Sequence, residues 1–370
     1  MEYIWQKDTW PRFRWNPDEL IPFFARAKRA QGTILGYIDS FNLQEQGDLL
    51  VEEVLTTSAI EGETLDPNMV RSSVARRLGL STAGLPETAA QAEGLVSMLL
   101  DATNNYTQPM TRERLWSWQA ALFPTGYSGV FKVRTGAWRD SSSPMQVISG
   151  SMGKERVHYE APPTSKVEDE MNRFITWWNN PPETLDGLFR AGISHFWLVS
   201  IHPFADGNGR VSRAIADMAL AQDEQTGKRL YSISSQIMKN RSSYYDVLER
   251  TQKGDGDVTK WLAWFFEMFE KSIEESKKLI SKSLFIGKFY QSIGKIVLNE
   301  RQRKVLGKLL ECYPDEFQGG LTNKKYVSMT KTSSETAKRD IKGLVGKGLI
   351  ISGSARGRSM NYQLKTTLVS

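Results

Sequence analysis

Twelve consecutive residues, His202-Pro203-Phe204-Ala205-Asp206-Gly207-Asn208-Gly209-Arg210-Val211-Ser212-Arg213, bring together a base, a carboxylate, a small-residue turn and two guanidiniums. No packing requirement asks for that combination, so it reads as chemistry. The run Gly207-Asn208-Gly209 keeps large side chains away from its backbone N–H groups, and the residues after it, to Gln222, have the apolar spacing of a helix. A helix starting there aims its positive end and its unpaired N–H groups at one point, which makes a phosphate seat. Arg210 and Arg213, three apart, share one face of the first turn and can grip further phosphate oxygens. Asp206 is a hard oxygen ligand suited to Mg²⁺ bridging phosphates. His202 titrates near neutral pH and can take a proton from an attacking hydroxyl. The set points to transfer of a nucleotidyl or phosphoryl group. Competing motifs fail on spacing: no Gly-Lys-Ser/Thr follows as in a P-loop, and the third glycine and preceding strand of a dinucleotide fingerprint are missing. A metal hydrolase built on His202 and Asp206 lacks a third ligand among the three histidines of the chain.

The same twelve residues resemble the signature of the Fic family, His-x-Phe-x-Asp/Glu-Gly-Asn-Gly-Arg-x-x-Arg, with every defining position filled. The resemblance implies a mainly α-helical enzyme that uses ATP and Mg²⁺ to move AMP onto a Tyr, Thr or Ser hydroxyl of a protein target. On that pattern His202 deprotonates the hydroxyl, the α-phosphate lies over Gly207, Asn208 and Gly209, Asp206 binds the metal, and Arg210 and Arg213 hold the outer phosphates. Two other classes stay open. One is a DNA-binding transcriptional regulator whose Fic core senses a nucleotide. The other is a Fic enzyme that removes AMP or transfers another phosphate-bearing group, because the signature fixes the pyrophosphate chemistry better than the donor.

Upstream, Thr57-Ser58-Ala59-Ile60-Glu61-Gly62-Glu63 closes a helical stretch. Taken alone it is a helix C-terminus stopped by glycine, with Glu61 as a solvated charge. It is also similar to the Ser/Thr-x-x-x-Glu-Gly/Asn inhibitory motif of Fic proteins, which implies that Thr57, Glu61 and Gly62 restrain the enzyme and that Glu61 pairs with Arg213. A carboxylate and a γ-phosphate compete for the same guanidinium fork. Residues 145–148 and 156–159 read as a hairpin with a long loop. It is either a structural hairpin or, by the resemblance, the flap whose Val147 and Ile148 pair edge-to-edge with the backbone of the target. By the same resemblance Tyr245 stacks on or borders the adenine, and Gln252, where many Fic proteins have Asn, offers its amide to the base. His158 and His195 are assigned no chemistry.

These residues need a scaffold, and the pattern is helical over most of the chain. Apolar residues recur at three- and four-residue steps from Asp18 to Ile38, then in 46–60, 88–102 and 111–123. Two stripes, Met171, Phe174, Ile175 and Trp178, then Leu188, Ile193, Phe196, Trp197 and Val199, mark helices that lead to His202. Further helices are expected over 232–251 and from 259 to about 283. Residues 1–15, rich in Trp, Arg and Pro, read as an ordered arm or short hairpin on the following helices. A chain of 370 residues with 40% hydrophobic and 24% charged residues has room for two or three globular domains. The expected divisions are an N-terminal helical region (1–110) carrying the inhibitory motif, a Fic catalytic core (111–285), a linker (286–299) and a C-terminal domain (300–370). One cysteine, Cys312, excludes an internal disulfide framework or a multi-cysteine zinc site and reads as a structural thiol in a reducing compartment. The start has no apolar core of signal-peptide length, and no stretch approaches 18 uninterrupted apolar residues, so the expectation is a cytoplasmic protein without a membrane partner.

Residues 300–370 hold 14 Lys/Arg against 6 Asp/Glu, whereas the whole chain has a net charge of only +6, so the basic excess is one local patch. Three short helices, the second and third capped by Thr322 and by Ser333 or Ser334, precede two strands around Gly353 to Arg358. That is the outline of a winged helix-turn-helix. It is either a DNA reader, with Thr336, Lys338 and Arg339 outward on the third helix and Arg356 and Arg358 on phosphate from the wing, or a protein-docking module of the same fold. The fold class expected overall is mainly α, a Fic helical core with a β-hairpin flap plus this C-terminal domain. A protein target with a hydroxyl side chain, DNA and a second copy of the chain are the partners to test.

Overall fold

The helical spacing becomes helix almost throughout. The computed structural model describes residues 2–149, 156–294, 296–313, 315, 317–353 and 360–366, and the chain forms two compact units, Met1–Glu275 and Ser276–Ser370. In the first unit, α1 (Pro17–Leu35) starts at Asn16, whose side chain accepts the Asp18 N–H. Helix α2 (Leu43–Ile60) starts with a capping box in which Asn42 and Glu45 satisfy each other's backbone N–H groups. After α3 (Pro67–Leu78), α4 (Ala90–Asn104) and α5 (Arg112–Leu122) come four short strands in two hairpins, β1 (Tyr127–Ser128) with β2 (Phe131–Lys132) and β3 (Gln146–Ser149) with β4 (Arg156–Glu160). Six helices follow: α6 (Thr164–Asn179), α7 (Gly187–Ile201), α8 (Asn208–Glu224), α9 (Ile233–Lys239), α10 (Arg241–Gln252) and α11 (Thr259–Ser292), whose residues from Ser276 on belong to the second unit.

Helices α7 and α8 form the most extensive helix pair and carry the signature loop between them. Both are buried nearly all round, with Leu188, Ala191, Phe196, Leu198 and Ile201 of α7 and Val211, Ile215, Met218 and Leu220 of α8 in the core. Helices covered on every side stand at the centre of a bundle, and the polar residues that α8 buries there, Arg210 and Arg213 among them, need partners. The others surround the pair: α2 packs on α3, α9 and the side of α8, and α4 and α5 cover another face. Trp261 of α11 is fully buried against α7, where its indole N–H donates to the Gly192 carbonyl at 2.8 Å.

Three local features differ from the sequence reading. The single helix expected over 232–251 is two, α9 and α10, because Asn240 leaves helical geometry (φ −117°, ψ 30°) and turns its side-chain amide onto the Gln236 carbonyl. The N-terminal arm packs on the signature half of the unit instead of the helices that follow it. The Trp5 indole donates to the Glu160 carbonyl, that of Trp10 to Glu170, and Arg14 pairs its backbone with Gly256 and Val258. Helix α11 runs on to Ser292, and Phe289 and Ile293, within the expected linker 286–299, are core residues of the second unit.

That second unit holds α12 (Glu300–Leu310), α13 (Asn323–Thr330), α14 (Ser334–Gly346) and an antiparallel hairpin of β5 (Ile350–Ser352) and β6 (Tyr362–Leu364). Thr322 and Ser333 cap α13 and α14 through their hydroxyls. Leu321 adds a backbone bridge to Tyr362. Val305, Leu306, Leu309, Tyr326, Ala337, Ile341 and Leu344 fill the core, and buried Asp340 is satisfied by Asn299, Arg301 and Tyr326. Among the described residues no helix is long and apolar enough to cross a membrane. Trp261→Ala is expected to cost the first unit about 3–5 kcal/mol, the range for deleting a large buried aromatic, and the lowered denaturant midpoint would measure it.

Candidate active site

Helix α7 ends at Ile201, and His202 closes it in left-handed geometry (φ 53°, ψ 56°), its N–H still donating to Leu198. That conformation costs a non-glycine residue about 1–2 kcal/mol, so the surroundings must hold it. The ring does part of this, since Nδ1 lies 3.1 Å from the Val199 carbonyl. A carbonyl only accepts, so Nδ1 carries the proton and Nε2 keeps its lone pair. Burial and the nearby Arg139 cation lower the His202 pKa, against the opposite pull of Val199, Glu61 and Asp206. The imidazole is therefore neutral and basic at Nε2 around neutral pH.

The loop that follows is tied to itself. Phe204 is buried against Trp138, and Asn208 bonds both the N–H and the carbonyl of Phe204 at 2.9 Å. The Asn208 side chain thus fixes the turn, which leaves its backbone N–H for the seat. Gly207 (φ 90°) caps α8, and its N–H donates to Asp206 Oδ1 at 2.6 Å. The Asp206 side chain is 40% exposed. Arg210 and Arg213 are only 1% and 3% exposed. The guanidinium of Arg210 lies over the Phe123 ring, 5.0 Å from its centroid. His195, on α7, is a core residue whose Nε2 meets the Tyr244 hydroxyl at 2.9 Å and whose pKa burial pushes down to about 3.

The end of α2 reaches into this seat. Arg213 donates through Nε to the Thr57 hydroxyl (2.7 Å) and through Nη2 to the Thr57 carbonyl (2.8 Å), while Glu61 Oε1 stands 2.8 Å from Nη2. The same Glu61 oxygen lies directly over Gly209, where an added methyl would collide with it. Gly62 (φ 82°) then turns the chain, and Glu63 meets Arg210 at 2.6 Å, its Oε2 also accepting from Gln91 at 3.1 Å. Each signature guanidinium therefore has its own carboxylate from one three-residue stretch. Desolvation and the neighbouring Asp206 and Glu61 charges raise the Glu63 pKa in spite of Arg210.

The other expected site residues fall around this centre unevenly. Tyr245 is partly exposed, and its hydroxyl donates to the Ile60 carbonyl at 3.2 Å, beside the turn that carries Glu61. Gln252 is buried, and its amide donates to the Ser200 hydroxyl at 3.1 Å, which supports the root of the His202 loop. The hairpin β3–β4 has an irregular register between Val147 and Ile148, and Ile148 is 55% exposed. Among the described residues strand β3 pairs with β4 alone, which leaves its other edge unpaired in that sheet. Tyr159 anchors the hairpin through its hydroxyl on the Ser200 carbonyl (2.7 Å), and Glu249 of α10 takes His158 (2.5 Å) and Arg156 (2.9 Å). Against its own desolvation, bonds from Lys253, His158 and Arg156 bring Glu249 down to about 2. Lys338 and Arg339 are exposed on α14 of the second unit, Lys338 paired with Glu335, and Thr336 joins the Ser333 cap. Arg356 and Arg358 lie outside the described residues. Among the described residues no cluster of three or more His, Cys, Asp or Glu is placed to hold a metal ion.

The family model described as Fic/DOC family matches residues 109–220, which span α5, both hairpins, α7, the loop and most of α8. Over those residues the chain is a Fic-family domain. A second model, a domain of unknown function (DUF4172), matches residues 3–80, the arm through α3. Protein adenylyltransferase Fic from Nematostella vectensis is 32% identical over 114 residues, 30% of this chain and 25% of that protein. The proteins of the same name from Drosophila melanogaster and Aedes aegypti are 33% and 37% identical over 105 residues, 28% of this chain and 20% and 19% of theirs. The chain thus spans a quarter or less of the length of these curated relatives. A Fic family protein from Desulfovibrio desulfuricans G20 shares the fold over 96% of this chain and 98% of its own, with TM-score 0.55 and 17% identity. Fic-1 of C. elegans (residues 134–508) does so over 72% and 75%, with TM-score 0.50 and 18% identity.

Within this Fic centre two participants were not visible as such in the sequence. The sequence assigns Glu63 no role, since an acid just past a helix end reads as a solvated charge. Arg139 had no signal, because its partners, two backbone carbonyls and the Thr164 hydroxyl, lie far along the chain. The Arg210–Glu63 pair makes a specific prediction: Glu63→Gln, which keeps size and removes charge, binds a non-hydrolysable ATP analogue roughly tenfold more tightly, or about 1.4 kcal/mol, by calorimetry.

Proposed function

We propose that this chain transfers AMP from ATP to a Tyr, Thr or Ser hydroxyl of a protein target, and that Glu61 restrains it. The reading rests above all on where Glu61 lies: a carboxylate covers the N-terminal turn of α8 and holds Arg213, the position a phosphate would take. In the reaction, the N–H groups of the first turn of α8 receive the α-phosphate, and Arg210 and Arg213 take the outer phosphates once Glu63 and Glu61 give way. His202 Nε2 accepts the proton of the target hydroxyl, whose oxygen attacks the α-phosphorus. The bond to the bridging oxygen breaks, and pyrophosphate leaves. Preorganised charge and in-line positioning supply most of the rate.

Asp206 fits a hard cation, since one exposed carboxylate completed by waters and phosphate oxygens is the donor set Mg²⁺ takes. A bound Mg²⁺ would neutralise phosphate charge there. The target is proposed to add its backbone to the free edge of β3 near Val147 and Ile148, which gives affinity with little sequence reading. Tyr245, beside the turn after α2, is proposed to border the adenine.

Incubation of lysate with ATP labelled on the α-phosphate tests the reading. Glu61→Gly is expected to label protein roughly ten- to a hundredfold faster than the wild type, the scale of one charge-assisted bond of about 1.5–3 kcal/mol, and His202→Ala not at all. Equal labelling by Glu61→Gly and wild type removes the restraint. No label with either removes AMP transfer, and loss of label from pre-modified protein points to AMP removal.

For the second unit we propose contact with duplex DNA. The groove between α13, α14 and the β5–β6 hairpin is lined by Lys324, Lys338 and Lys342, on the most basic part of the chain. The full-length protein is expected to bind a labelled duplex at about 50 mM salt and to lose most of that affinity by about 200 mM, with Lys338→Glu weakening it further. No binding at low salt would assign the groove to protein docking.

A further inference from the structure

Arg139 lies on the segment between β2 and β3 and is 4% exposed. Its backbone N–H donates to the Pro203 carbonyl at 2.9 Å, and its side chain donates through Nε to the His202 carbonyl at 2.8 Å. The two terminal nitrogens reach the other way, Nη1 to the Thr164 hydroxyl at 3.0 Å and Nη2 to the Pro162 carbonyl. Thr164 passes its own proton to the Ser141 carbonyl at 2.6 Å. Three separate stretches, 139–141, 162–164 and 202–203, are thus tied by one side chain.

The charge makes the arrangement unusual. A buried guanidinium normally has a carboxylate partner, because taking a cation out of water is costly unless it is compensated. Among the described residues the recorded partners of Arg139 are carbonyls and a hydroxyl, and burial lowers its pKa. A neutral residue would hold loops together at lower cost. What a guanidinium adds is a rigid planar fork that addresses several acceptors at once, and a positive charge beside His202.

Both additions bear on the same geometry. The Nε bond holds the carbonyl of His202, the residue in strained left-handed conformation, and so fixes where Nε2 points. The Nη2 bond holds Pro162, two residues beyond β4, where the Ala161 N–H closes the foot of the hairpin on the Met145 carbonyl. The flap and the base are therefore fastened to one planar group.

We propose that Arg139 is a positioning residue that sets the β3–β4 flap at a fixed distance from His202, so that a hydroxyl presented along the flap arrives at Nε2. This rests on reading the centre as a hydroxyl-modifying one. The charge has a second effect, because Arg139 together with burial depresses the basicity of His202, while Glu61 and Asp206 act in the other sense.

The test uses the full chain in the Glu61→Gly background, with Arg139→Lys, which keeps charge and loses the fork, and Arg139→Gln, which loses both. ATP-analogue affinity is expected to stay within twofold in both variants, while AMP transfer to protein falls at least tenfold and AMP release to water falls much less, since water does not use the flap. Arg139→Gln raises the imidazole pKa of His202 seen by NMR, and the acid limb of the pH–rate profile moves to higher pH with it. Arg139→Lys leaves that pKa in place but loses hydrogen-exchange protection at the Ala161 amide. A folded Arg139→Gln with unchanged transfer and unchanged His202 titration overturns the proposal, as does equal loss of transfer to protein and to water. If the Glu61→Gly parent itself transfers nothing, the reading of the centre fails, and the His202 pKa and Ala161 exchange still decide the role of Arg139.

Discussion

Two buried guanidiniums at the positive end of a buried helix must be met by negative charge. Arg210 and Arg213 point to the N-terminal turn of α8, where the unpaired N–H groups add their own positive potential. Left alone, such a cluster would oppose folding, since an unpaired buried charge costs several kcal/mol. The stretch from Glu61 to Glu63 supplies two carboxylates to that point, and Thr57 supplies a hydroxyl and a carbonyl. The same electrostatic demand that keeps α2 docked on α8 is the one a nucleotide would satisfy. In the proposed reading restraint and stability are one interaction, and a polyphosphate would replace a structural anion instead of entering an empty site.

The geometry around His202 follows the same economy. Its left-handed backbone, its tautomer and the direction of its free nitrogen are set by three carbonyl contacts: Leu198 on its N–H, Val199 on Nδ1 and its own carbonyl on Arg139. None of these groups is reactive. They are what allows a neutral imidazole to stand partly buried with one lone pair available. The β3–β4 hairpin is fastened to the same region from two sides, through Tyr159 on Ser200 and through Pro162 on Arg139.

How much of this could be read from residues alone depended on the range of each interaction. The signature was legible because base, carboxylate, turn and arginines lie within twelve positions, and a helix start converts that spacing directly into a shared direction. The caps at Thr322 and Ser333 and the β3–β4 pairing were legible for the same local reason. Glu61 opposite Arg213 was legible only through family resemblance, since 152 positions separate them in sequence. Glu63 and Arg139 were not, because a lone acid on a surface helix end and a lone arginine in a loop look like solvated charges until the fold brings their partners. The break at Asn240 was hidden by continuous helical spacing on both sides of it, and the bond from the Gln252 amide to the Ser200 hydroxyl has no sequence signal, because packing across 52 positions sets it.

Thr57 holds Arg213 through a side-chain hydroxyl and a main-chain carbonyl, one turn before Glu61. Those two bonds do not depend on the Glu61 carboxylate, so Arg213 stays aimed at the seat whether Glu61 is present or swung aside. In the proposed reading, release then requires only rotation of the Glu61 and Glu63 side chains, motions of picoseconds to nanoseconds, and no departure of α2, which would take microseconds or longer. Such a device stores no memory. Its output would follow the instantaneous balance between an internal anion and an external one, as a rheostat does, and any lasting on-state would have to come from something that keeps Glu61 occupied elsewhere.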